Sequence, residues 1–152
     1  MKVLHVTESM ATGTLAMISS AVYSTNQYNI EIAYAPRGET PEDLHGYFPE
    51  CRLHKLPRSA LAFIVKLKRI VRDSEPDIVH FHSSIGAAYG RLALFRNRLI
   101  KLFYSPHCIS FMRKDVGAIK LFLFRSCERV LDVISPSTYI ACSESERKVL
   151  KQ

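Results

Sequence analysis

Val3-Leu4-His5-Val6-Thr7, near the start of a 152-residue chain, is an almost unbroken apolar run. A strand of that composition is buried on both faces, as in a parallel sheet covered by helices. The loop Glu8 to Gly13 follows it. Leu15 to Tyr23 then sets Leu15, Ile18, Ser19 and Val22 on one helical face. Downstream the same unit recurs. Asn29 to Ala35 reads as a second strand, with Ile30, Ile32 and Tyr34 alternating against Glu31, and Pro36 to Pro49 reads as loop. Arg52 to Leu56 is a short third strand ended by Pro57. Ser59 is placed to cap a helix from Ala60 to Asp73. Asp77 to His82 is a fourth strand, and the small residues Gly86, Ala87, Ala88 and Gly90 let the helix Ile85 to Phe95 pack close to a sheet. Lys101 to Ser105 is a fifth strand stopped by Pro106. Asp115 caps a helix to about Leu131, Tyr139 to Cys142 is a sixth strand, and Ser143 with Glu146 forms a capping box for a last helix. Strands alternating with helices predict a doubly wound, mainly parallel α/β sheet of about six strands.

Composition narrows the class. Hydrophobic residues make up 47% and charged residues 23%, as in an ordinary globular domain. The longest apolar run, Ala60 to Val65, is far shorter than a membrane span, and the first residues lack a signal-peptide pattern, so the expected location is the cytoplasm. Cys51, Cys108, Cys127 and Cys142 are widely spaced, which argues for free thiols rather than a disulfide framework or zinc ribbon. The net charge of +7 points to a polyanionic partner. No RNP-like motif, helix-turn-helix or zinc-finger spacing supports nucleic acid.

In doubly wound sheets ligands bind beyond the carboxyl ends of the strands. That rule selects Glu8 to Thr14, His82 to Ser84 and Ser105 to Ser110. Backbone N–H groups of Ala11, Thr12, Gly13 and Thr14 can meet a phosphate at a helix N-terminus, although one glycine is a sparse phosphate loop. His80 and His82 are expected on opposite faces of their strand, so joint metal chelation is not expected. His82, with Ser83 beside it, is the better pocket candidate. His107, just past Pro106, is placed to hydrogen-bond a sugar or phosphate or to act as a base. Its neighbour Cys108 is not expected to pair with it as a nucleophile. Lys66 and Arg69, and Arg113 and Lys114, stand beside exposed aliphatic and aromatic residues, a pattern that suits an anionic membrane surface.

Four blocks then carry a family resemblance. Met1-Lys2-Val3-Leu4-His5-Val6-Thr7-Glu8-Ser9 resembles the opening of family-4 retaining glycosyltransferases of the bacterial surface-polysaccharide type. Pro76-Asp77-Ile78-Val79-His80-Phe81-His82-Ser83 resembles their "PDIVHxHS" strand. Tyr104-Ser105-Pro106-His107 with Phe111 resembles "Y-T-P-H-G…F", and Asp132 with Ile140 to Glu146 resembles "D…IAVSESE". The resemblance implies a GT-B enzyme of two Rossmann-like lobes, in which this amino-terminal lobe holds a lipid-linked or polysaccharide acceptor and no metal is required. It places Ala11 to Thr14 near the donor diphosphate and matches His107 to a histidine that contacts the donor sugar. Two features depart from the pattern: Gly13 is alone in the first loop, and Cys108 stands where the family has glycine. The strand with the "I-P-N-G" turn and the donor-binding lobe are expected to be missing from residues 1–152. That lobe is therefore an expected partner, and the isolated chain is expected to be inactive, because stabilisation of the leaving diphosphate would come from it. The alternative is a non-catalytic membrane- or partner-binding module on the same fold. A stand-alone nucleotide-binding domain is disfavoured by the single-glycine loop.

Overall fold

The computed structural model describes residues 1–106 and 117–150. Six strands, β1 (Lys2–Thr7), β2 (Asn29–Tyr34), β3 (Arg52–Lys55), β4 (Ile78–His82), β5 (Lys101–Ser105) and β6 (Thr138–Tyr139), form one sheet in the order β3-β2-β1-β4-β5-β6. Every described pairing is parallel. The helices are α1 (Thr12–Ser24), α2 (Leu44–Tyr47), α3 (Ala60–Ser74), α4 (Ser84–Ala93), α5 (Ala118–Ile134) and α6 (Glu144–Leu150). The expected doubly wound sheet is present, with Val3 to Thr7 at its centre. The strand order reverses between β1 and β4, which is where such sheets open a crevice.

Two cores explain the burial. Leu4 and Val6 of β1, Val79 and Phe81 of β4, and Leu102 and Tyr104 of β5 pack under α3 and α4 through Phe63, Leu67 and Ala87. On the other face Ile30, Ile32 and Tyr34 meet Leu15 and Ile18 of α1 and Leu44 and Phe48 around α2. Gly90 shows how closely α4 lies on the sheet: a Cβ there would stand 2.1 Å from the Phe81 ring.

Local details differ from expectation in instructive ways. Residues 36–49 contain the one-turn helix α2, which Asp43 starts by accepting the Gly46 N–H at 2.9 Å. Ser59 does precede α3, but its hydroxyl makes no capping bond. Glu31 does not face solvent. It is buried on β2 and satisfied by His54 Nε2 at 2.6 Å and Lys2 Nζ at 3.8 Å. The expected cap Asp115 lies outside the described residues. Strand β6 is two residues long, extended by the Ile140 N–H to Tyr104 carbonyl bond. The capping box is present in altered form: the Glu146 N–H donates to Ser143 Oγ at 3.2 Å, and the Glu146 carboxylate accepts from the Cys142 N–H at 2.7 Å.

The α4–α5–β6 side is locked by Arg91, which is fully buried. It donates to the Ser135 carbonyl at 2.9 Å, to Glu128 Oε2 at 3.2 Å and to Asp132. Burial, the largest single influence, would lower the Arg91 pKa, but the hydrogen bonds and charges of Asp132 and Tyr139 together outweigh it and the pKa is raised. Burial raises the Glu128 carboxyl above its ordinary range, and Arg91 pulls against that. Tyr104 and Tyr139 also donate to Glu128, and burial pushes both phenols well up.

Candidate functional site at the strand-order switch

The carboxyl ends of β1 and β4 meet at the reversal point, in the register Thr7↔His82. After β1 the chain turns sharply. Thr7 Oγ1 accepts the Ser9 N–H at 3.2 Å and donates to the Ser9 carbonyl at 2.7 Å. Met10, fully buried, anchors the loop in the core. Helix α1 then starts at Thr12 behind Ala11, which offers no side-chain cap, and no acidic residue sits in its first turn. The first N–H groups of a helix are unsatisfied from within, so this terminus is suited to an anion. Gly13 is exposed, and a Cβ there would meet nothing within 4 Å. The space over it is open, so packing does not require glycine.

After β4 the turn is strained. Ser83 has φ 72° and ψ 151°, a region essentially reserved for glycine. Ser83 Oγ accepts the Gly86 N–H at 3.2 Å and so begins α4. Gly86 allows a close approach here: a Cβ would stand 3.2 Å from the Glu8 nitrogen, a tight contact, and 3.5 Å from Thr7 Cα. The first turn of α4 therefore rests directly on the loop after β1.

Beside this junction lies a cavity of ≈620 Å³ lined by Glu8, Arg37, Arg58, Phe63, Ile85 and Tyr89, among others. Arg37 pairs with Glu8. Arg58 Nε donates to the Pro36 carbonyl at 2.7 Å. Phe63 and Tyr89 meet edge to face at 5.5 Å between centroids. Glu8 and Glu39 share this lining with the two arginines, so the cavity is polar and mixed in charge, and its aromatic edges can hold a polar ring. Arg37 lies in the stretch Pro36 to Pro49, which by sequence is only loop, so no pattern marks it as a site residue. The available signal was its place just beyond the carboxyl end of β2.

The sequence-derived candidates divide. Ala11, Gly13, Thr14 and Ser83 stand at this edge, and Thr12 opens α1 there, its side chain outside what the structure describes. His107, Arg113 and Lys114 lie outside the described residues. Lys66 and Arg69 are exposed on α3 near exposed Leu61 and Val65. His82 is 1% exposed and faces the α1 side of the sheet rather than the cavity. Its Nε2 lies 2.9 Å from His5 Nδ1. The expectation that His80 and His82 face opposite ways is overturned. Residues two apart on a strand share a face, and their ring centroids are 4.1 Å apart. Both join His5, paired across β1 and β4 in the register His5↔His80. Burial lowers the His5 pKa to about 4.

Comparison with known proteins decides the family. Residues 25–152 match Glycosyltransferase Family 4. The chain belongs to glycosyltransferase family 4. None of the curated proteins matches it in sequence. Among solved structures, the lipopolysaccharide outer core galactosyltransferase WaaB in its apo form matches with TM-score 0.69 and 15% identity, covering 99% of this chain and 42% of that one. Anabaena Alr3699/HepE in complex with UDP matches with TM-score 0.69 and 16% identity, covering 100% and 40%. A UDP-N-acetylglucosamine 2-epimerase from Listeria monocytogenes, itself of unproven activity, matches with TM-score 0.66 and 13% identity, covering 99% and 41%. This family-4 chain thus has the fold of one Rossmann-like lobe of a GT-B protein and spans about two fifths of the length of these structures.

Proposed function

We propose that this family-4 chain is the acceptor-side lobe of a retaining glycosyltransferase. It would serve transfer from a nucleotide sugar to a lipid-linked or polysaccharide acceptor in surface-polysaccharide assembly. The observation that carries the proposal is the cavity beside the reversal point, where the first turn of α4, through Ile85, and Arg37 and Arg58 gather with Phe63 and Tyr89. The helix termini suit a diphosphate, and the cavity, polar and edged by aromatic rings, suits a hydroxylated acceptor ring. WaaB is a galactosyltransferase by its description, and HepE was solved with UDP. The transfer needs a nucleotide-sugar-binding lobe facing this edge, and no metal cofactor.

Membrane association is part of the same proposal. Helix α5 exposes Ile119, Phe122, Leu123, Val130 and Val133 beside exposed Arg125 and Arg129. Helix α3 adds Lys66 and Arg69. No described helix is long and apolar enough to cross a membrane. A peripheral position on the inner face of a cytoplasmic membrane fits this surface. The same surface favours the second reading, a non-catalytic membrane-binding module.

The test joins the chain to a donor-binding lobe and measures nucleoside diphosphate release with a lipid-linked acceptor. His107→Ala should reduce turnover about 10²-fold or more, as loss of a proton-transfer group does. Arg37→Ala should raise the acceptor KM more than it lowers kcat. Robust turnover by the isolated chain, or indifference to both substitutions, would sink the assignment.

A further inference from the structure

We propose that His5, His80 and His82 form a binding site for a single divalent transition-metal cation of the zinc class. The site lies on the α1 face of the sheet, separate from the cavity at the strand ends. Three adjacent strand positions create it. Parallel register sets His80 opposite His5, and the two-residue repeat of β4 adds His82 to the same face. One ligand atom from each ring lies within 4.8 Å of the others. Tetrahedral coordination at ~2.0–2.1 Å separates neighbouring nitrogens by roughly 3.4 Å. One nitrogen of each ring already lies within 4.8 Å of the others, a spread that reorientation of the rings can bring to that value.

Two further observations point to a ligand. His5 Nε2 is buried with no hydrogen-bond partner, which is costly unless something occupies it. His80 Nε2 lies 2.9 Å from Ser105 Oγ, an outer partner of the kind that orients a ligating imidazole. A groove of ≈430 Å³ gives access. Its walls include Val3, Met17, Ala21, Phe103 and Ile140, with Cys142 also lining it. Among the described residues, no carboxylate lines it. A neutral, nitrogen-rich ligand set selects zinc, cobalt, nickel or copper over magnesium and calcium, which require oxygen. Bound there, the cation would tie β1 to β4 and stabilise the fold. The inference does not depend on sugar transfer.

The experiment uses the whole chain, stripped with chelator. Zinc chloride is titrated calorimetrically, and cobalt chloride is followed by its visible absorption. The expected result is one ion per chain, a cobalt spectrum of tetrahedral type, and a rise in Tm with zinc but not with magnesium. Ser105→Ala should weaken zinc binding about 10- to 100-fold, as loss of an outer partner does. His80→Gln should weaken it further, and His45→Ala should leave it unchanged. His80→Gln is preferred to a change at His5, because His80 is only half-buried and the variant should fold; circular dichroism checks this. Absence of stoichiometric uptake by the folded chain, or uptake indifferent to His80→Gln, would overturn the proposal.

Discussion

Replacing Arg91 by methionine removes the charge from the α4–α5–β6 cluster while keeping most of its volume. Arg91 is fully buried, whereas the Glu128 side chain is 14% and the Asp132 side chain 44% exposed. Asp132 can turn to water, so its ion pair contributes little net stability. Glu128 cannot, and it loses its cation in a low-dielectric site. Breaking a buried pair from one side costs about 3–5 kcal/mol. The low end, about 3 kcal/mol, applies because Glu128 can take up a proton. With a urea slope of about 1–3 kcal/mol per molar, the unfolding midpoint should fall by about 1–3 M at pH 7.

The pH dependence follows from the raised Glu128 pKa. The folded chain then holds a proton that the unfolded chain releases above about 4.5, so this group lowers stability as pH rises through its folded value. Without Arg91 that pKa climbs further. The deficit of the variant should therefore shrink as pH is lowered toward 5, and adding Glu128→Gln should recover part of it at pH 7. Urea unfolding followed by circular dichroism measures all three. A loss below about 1 kcal/mol, or one that neither acid nor Glu128→Gln relieves, would refute the idea that a stranded carboxylate is the cause.

Three other outcomes are expected. Gly90→Ala should destabilise by about 1–3 kcal/mol through its clash with Phe81, despite the ~1 kcal/mol helix preference for alanine; adding Phe81→Leu should recover part of the lost Tm. Gly13→Ala should leave Tm unchanged or slightly raised, since its Cβ meets nothing, yet weaken nucleotide-sugar use in a two-lobe enzyme; equal kinetics would show that no ligand approaches that loop. Anionic vesicles should sediment the chain and neutral ones should not, with binding lost at high salt; equal sedimentation with both at low salt would exclude the charged surface as the docking face.

The sheet was legible because strand burial and punctuation agree. Val3 to Thr7 is apolar nearly throughout, and Pro57, Pro76 and Pro106 mark breaks between units. What failed to read was pairing between elements. Glu31 reads as the polar member of an alternating strand; in a covered parallel sheet both faces are inside, and His54 and Lys2 satisfy its charge. Arg91 sits among small residues, with nothing local to reveal three acceptors some forty residues away. The histidine cluster was missed for two reasons. The strand repeat was misapplied to His80 and His82, and His5 joins them only through the β1–β4 register. At the cleft, Ala11 to Thr14 followed from the strand-end rule, whereas Arg37 and Arg58 reach it from loops whose course no periodicity predicts.

The pairing of β1 with β4 also sets a timetable for synthesis. The Lys2 N–H bonds Asp77 across a sequence separation of 75 residues. At about 5–20 residues per second, β1 emerges roughly 4–15 s before its second neighbour exists. During that interval β2 can pair along one side of β1 while its other side carries unused N–H and C=O groups. The nascent chain is then most exposed to wrong partners along the line where the cleft will form. Since closing so long a loop is entropically costly and slow, the edge formed by Thr7 and His82 should be among the last parts to become protected from hydrogen exchange during refolding.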